Sequence, residues 1–143
     1  MTSIFAGLIA AALAVFGLHL PNTYTDPAHR FSFDVPASEH VGDYPAQSGV
    51  DETLIISGSP RNDEQIVITP WTGDAGLANL ETQYPYIGDP PDQGVLISTT
   101  TFAGVSGITF SSNYYGTQIW IVQSGYLYIF EDVPSIVLSS WRF

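Results

Sequence analysis

The first twenty residues, Met1 to Leu20, contain no charged side chain and one ionisable one, His19. At 1.5 Å rise per residue such a run reaches roughly 30 Å as a helix, the thickness of a bilayer's hydrocarbon core. Nothing in it except the imidazole resists transfer into lipid. A step of about 100° per residue gathers Ala6, Gly7, Ala10, Ala14 and Gly17, with Ser3, on one arc. Ile4, Phe5, Leu8, Ile9, Leu13, Val15, Phe16 and Leu20 fall opposite. A helix with one slim and one bulky side suits close approach to other helices in lipid.

The expectation is therefore a transmembrane helix over residues 1–21 and a separate soluble domain over 22–143. A cleaved secretory signal is the other reading, and Ala12-Leu13-Ala14 is a small-x-small cleavage pattern. Against it stand the length of the apolar run and the lack of Lys or Arg ahead of it. With so little basic charge to orient the helix, the expected topology is a cytoplasmic N-terminus. That makes a single-pass cell-membrane protein whose soluble domain faces the periplasm or the exterior.

The chain carries fourteen carboxylates, three arginines (Arg30, Arg61, Arg142) and no lysine, for a net charge of −11. No basic stripe exists to neutralise phosphates, which excludes nucleic acid as a partner. The same balance argues against docking on anionic headgroups. The acids are scattered or paired (Asp51-Glu52, Asp63-Glu64, Glu131-Asp132), as on a solvated face. The absence of cysteine excludes disulfides and thiolate metal sites.

Pro21-Asn22 ends the leading helix, and Thr25-Asp26-Pro27 reads as a turn. Phe31 to Val35 alternates apolar and polar, a half-buried strand closed by Pro36. Ala37 to Val50, punctuated by Gly42, Pro45 and Gly49, reads as loop. Thr53–Ser57 and Gln65–Thr69 read as strands joined into a hairpin by a longer turn. Asp74 is placed to cap a short helix over Ala75 to Tyr84, followed by a stiff connector with Pro85, Pro90 and Pro91. From Val95 onward the chain is β-rich. Val105–Tyr114, Thr117–Gln123 and Tyr126–Phe130 form an up-and-down set, with Ser124-Gly125 the tightest hairpin signal. Ser135–Ser140 is short enough for one helical turn.

Chemistry-bearing clusters are weak. His29 and His40 with Asp34, Glu39 and Asp43 are the residue types a Zn²⁺ site needs, but at no ligand spacing. Asp51-Glu52 and Asp63-Glu64 would serve Ca²⁺ if the hairpin brought them together, without an EF-hand's glycine-containing loop. Gly104-Val105-Ser106-Gly107 is not a nucleophile elbow, and neither Cys nor Lys is available as a nucleophile. Tyr84, Tyr86, Tyr114, Tyr115, Trp120, Tyr126 and Tyr128 read as core or hairpin packing, or as an interface if exposed together. No catalytic residue, resident metal or cofactor is expected.

Tyr24 with Phe31-Ser32-Phe33-Asp34-Val35-Pro36, then Phe102-Ala103-Gly104-Val105-Ser106-Gly107 and Tyr126-Leu127-Tyr128-Ile129, run in an order that resembles small PsbP-like envelope domains. The closing Ile136-Val137-Leu138-Ser139-Ser140-Trp141-Arg142-Phe143 is similar to that family's final Leu-Ser-Ser-aromatic-basic-Phe pattern. The resemblance covers residues 24 to 143. It implies an α+β domain, a mainly antiparallel sheet with short helices against it, and no catalytic residue. It also implies a non-catalytic accessory subunit, here membrane-anchored, that docks onto or stabilises a larger photosynthetic or respiratory complex. The expected partners are other membrane protein subunits and membrane lipid. Two alternatives stay open: a pilin-like filament subunit with its N-terminal helix in the fibre core, and an envelope solute- or metal-binding domain.

Overall fold

The computed structural model describes residues 22–28, 30–57, 64–72, 96–112 and 116–143. The strands are β1 (Asn22–Thr25), β2 (Ser32–Val35), β3 (His40–Tyr44), β4 (Glu52–Ser57), β5 (Gln65–Pro70), β6 (Leu96–Phe102), β7 (Val105–Ser112), β8 (Gly116–Gln123) and β9 (Tyr126–Glu131). A six-residue helix, α1 (Ser135–Ser140), follows. Among the described residues no helix is long and apolar enough to cross a membrane. The expected anchor over residues 1–21 and the expected helix over 75–84 lie outside the described residues.

β1 and β2 form a small hairpin, while the other strands build one antiparallel sheet in the order β3-β4-β5-β9-β8-β7-β6. Period-two alternation decides which side chains go inward. On one face Leu54, Ile56, Ile66, Ile68, Ile121, Tyr128 and Phe130 are buried beneath the β1–β2 hairpin, α1 and the C-terminal residues. On the other face Trp71, Ile108, Trp120, Leu127 and Ile129 form a second cluster. Central strand β9 is therefore buried on both sides, which is why it reads as an unbroken apolar run.

The stretch from Ala37 to Val50 departs from the loop expectation, since its His40–Tyr44 portion is a strand paired with β4 from His40↔Ser57 to Tyr44↔Thr53. Asn22–Thr25, ahead of the expected turn, is a strand as well. Both carry only one partly buried hydrophobe that joins the core, Val41 and Tyr24, so alternation leaves little trace in the sequence.

The two ends of the domain hold each other. Trp141 stacks on Phe33 at 5.0 Å and on Phe31 at 4.6 Å, and meets Phe130 edge-on at 4.8 Å. Ser32 and Arg142 exchange backbone hydrogen bonds of 2.9 Å, and the Asp34 amide donates to Ser140 Oγ at 2.7 Å. The first and last motifs of the family resemblance thus form one clasp over the sheet. Among the described residues the layer over that face consists of the β1–β2 hairpin, α1 and the C-terminal residues.

Candidate docking surface

From Asp43 to Asp51 every residue is exposed, so the β3–β4 hairpin projects as an arm. Its tip is closed by reciprocal backbone bonds between Gln47 and Val50, 3.0 and 2.9 Å, with Gly49 at φ +80°. A positive φ of that size suits glycine, which has no Cβ to clash. Tyr44 is 57% and Val50 64% exposed, and Ile55 is 36% exposed on the same sheet face as Tyr44. The Tyr44 ring lies across Gly42, where an added Cβ would sit 3.1 Å from Cε2. An aromatic and two aliphatics rimmed by Asp43 and Asp51 have the composition of a protein–protein contact.

Two polar contacts fix the roots of the arm to the β1–β2 hairpin. Tyr24 Oη donates to Asp43 Oδ2 at 3.0 Å. Arg30 Nη2 donates to Glu52 Oε1 at 2.5 Å. Arg30 is itself held by Asp26 through Nε–Oδ2 at 3.0 Å and Nη2–Oδ1 at 2.7 Å, a bidentate pair, while its backbone amide donates to Oδ2 at 3.1 Å. The guanidinium carbon also sits 5.0 Å from the Tyr126 ring centroid, close enough for cation–π attraction.

Asp26 is buried to 1%. Burial pushes its carboxyl pKa up, yet the hydrogen bonds and charge of Arg30 prevail and hold it below the ordinary range. Arg30 moves the opposite way: its hydrogen bond to Asp26 raises it, burial opposes, and Glu52 raises it further. Burial, then the bond to Asp43, raises the Tyr24 phenol. Burial brings Tyr128 up to about 12, so it stays neutral in the core. Asp26 and Arg30 therefore form a charged pair at neutral pH.

The small-residue stripe Ala6, Gly7, Ala10, Ala14, Gly17 lies outside the described residues, as do His29 and Asp63. The remaining metal candidates separate. Asp34 accepts from Thr23 Oγ1 at 2.7 Å, and Asp43 serves Tyr24. His40 Nε2 lies 2.9 Å from Ser57 Oγ, its cross-strand neighbour. Among the described residues no group of three His, Cys, Asp or Glu side chains is placed to hold a metal. The Ca²⁺ arrangement fails on register. The Glu64 carbonyl accepts from Ile56 at 3.0 Å at the closed end of the β4–β5 hairpin, whereas Glu52 pairs with Ile68 at the open end. The His40–Ser57 contact has no acid bonded to the imidazole among the described residues.

Trp120 and Tyr128 are core residues at 4% and 1% exposure, and Tyr126 is half-buried. Tyr84, Tyr86, Tyr114 and Tyr115 lie outside the described residues. Sequence reasoning missed the Asp26–Arg30–Glu52 clasp and Tyr44. An acid four residues before an arginine that has no other cation near it in the chain was the available signal for the first.

No family model and no curated protein matches the sequence. The fold does match a solved structure, that of cyanobacterial PsbP (CyanoP) from Synechocystis sp. PCC 6803, with a TM-score of 0.55 at 14% identity. The match covers 88% of this chain and 95% of that one, which gives the described domain a PsbP-like fold.

Proposed function

We propose that this chain is a non-catalytic accessory subunit that docks through its β3–β4 arm onto a larger membrane protein complex. Residues 1–21 hold it at the cell membrane, with the Ala6, Gly7, Ala10, Ala14 and Gly17 stripe against neighbouring helices and the bulky side against lipid. The soluble domain then stands on the periplasmic or extracellular side. The observation that carries the reading is the PsbP-like fold over 88% of the chain. The likeness to a cyanobacterial PsbP favours a photosynthetic complex over a respiratory one. The pinned arm supports docking, because its Tyr44 and Val50 are exposed while its roots at Asp43 and Glu52 are fixed, so little order remains to be imposed on binding.

Membranes carrying the full chain, solubilised in mild detergent and resolved by native electrophoresis, test this directly. The chain migrates with a membrane complex in fixed stoichiometry, and a Tyr44→Asp/Val50→Asp variant with an unchanged circular dichroism spectrum migrates free. Recovery of the wild type in the soluble fraction, or an identical shift for the variant, overturns the reading.

A further inference from the structure

The charge of this chain is strongly segregated: all fourteen carboxylates and three arginines fall before Gln93 or after Phe130. Strands β6, β7 and β8 are consequently uncharged, and among the described residues they occupy one end of the sheet with β6 at its margin. Proteins normally blunt such an edge with a charge, a proline or a bulge, because its outward N–H and C=O groups invite another strand. β6 has none of these. Its seven residues pair one-to-one with β7, from Leu96↔Ser111 to Phe102↔Val105, so it is long and regular. Ser98, Thr99 and Thr101 are exposed along it.

We propose that two copies of this chain associate edge to edge through β6, as a two-fold antiparallel pair centred on Thr99. An antiparallel edge pair is self-complementary under a two-fold axis and requires of its partner only another regular edge. Like charge is the obstacle to pairing two chains of −11, and the segregation keeps it off the paired strand itself. The nearest described carboxylates, Glu131 and Asp132, reach from the end of β9 over β8, where Gln118 Nε2 donates to Glu131 and Asp132 lies beside Gly116, two strand spacings or about 10 Å from β6. That exceeds the Debye length of about 8 Å at physiological ionic strength. The opposite edge, β3, carries Asp43 beside the exposed acidic arm and would meet its copy with repulsion. Beside β6 a cleft of about 450 Å³ is lined by Thr99, Thr100, Thr101, Ser106, Gly107 and Ile108. Its hydroxyl-rich wall suits the serine and threonine side chains that a second β6 would bring.

The full chain in mild detergent tests this, and its lack of cysteine makes an introduced thiol unique. Pairing about Thr99 sets the two Cα atoms of that residue about 4.5–5.5 Å apart, within disulfide range. Under mild oxidation Thr99→Cys is expected to give at least tenfold more disulfide-linked dimer than Ser48→Cys, an exposed control on the acidic arm. The wild type is expected to sediment as a dimer, and Thr101→Lys as a monomer with an unchanged circular dichroism spectrum. A monomeric wild type overturns the proposal, whether the edge is free or taken by another segment or another protein. So does a dimer that survives Thr101→Lys, or equal linkage by the two cysteine variants.

Discussion

Asp26 is the residue on which the charged clasp turns. It is buried to 1% and its carboxylate forms both arms of the pair with Arg30. Removing one member of a buried pair leaves the other uncompensated, so Asp26→Ala is expected to cost about 3–5 kcal/mol in chemical denaturation. The pH dependence follows from the lowered carboxyl: the unfolded chain binds that proton more readily than the folded one. Its stabilisation is complete above the ordinary aspartate range and is lost as pH falls through the lower folded value. Melting temperature against pH should therefore drop more steeply on the acid side in wild type than in Asp26→Asn. Gly107 is a second critical position, for steric reasons. A Cβ there would sit 2.4 Å from the Trp120 carbonyl oxygen, a backbone atom that cannot swing aside. Gly107→Ala is expected to destabilise by roughly 1–3 kcal/mol, as overpacking does, measurable as a lower denaturation midpoint.

Among the elements, the two tight hairpins of the uncharged end show how turn chemistry sets register. Ala103 and Gly104 have φ of +48° and +80°, and Ser124 and Gly125 have +51° and +82°. Positive φ at both central residues matches the right-handed twist of the flanking strands. Ala103 bears a Cβ in that conformation, so Ala103→Gly should raise stability by up to about 1 kcal/mol in equilibrium unfolding, the relief of strain exceeding the entropy glycine adds to the unfolded chain. These hairpins also explain what was readable in advance. β2, β4, β5, β7, β8, β9 and α1 follow from alternation, from Ser124-Gly125 and from the terminal apolar turn. β3 was hidden because Gly42 interrupts it and it contributes a single hydrophobe, Val41, to the core. The clasp at the arm's root joins Arg30 to Glu52 across a separation of 22 residues. Such a contact exists only once register is set, and local spacing does not report register. The same limit made Asp51-Glu52 and Asp63-Glu64 look like potential neighbours, although their hairpin closes at the Glu64 end.

At the scale of the whole molecule, six strand spacings of about 4.8 Å put the acidic arm on β3 some 29 Å from the uncharged margin at β6. Each end can therefore meet a different surface without interference. The sheet carries a buried cluster on each face, and each cluster contains tryptophan. Trp141 belongs to the cluster beneath the β1–β2 hairpin, and Trp71 and Trp120 to the cluster on the reverse, each 4% exposed. Substituting Trp141 by Phe, or the other two together, leaves emission that reports one slab at a time. Coincident thermal midpoints for the two reporters are the expected result, because Tyr128 and Ile129 are adjacent residues of β9 facing opposite slabs, so neither can dissolve without loosening the backbone the other rests on.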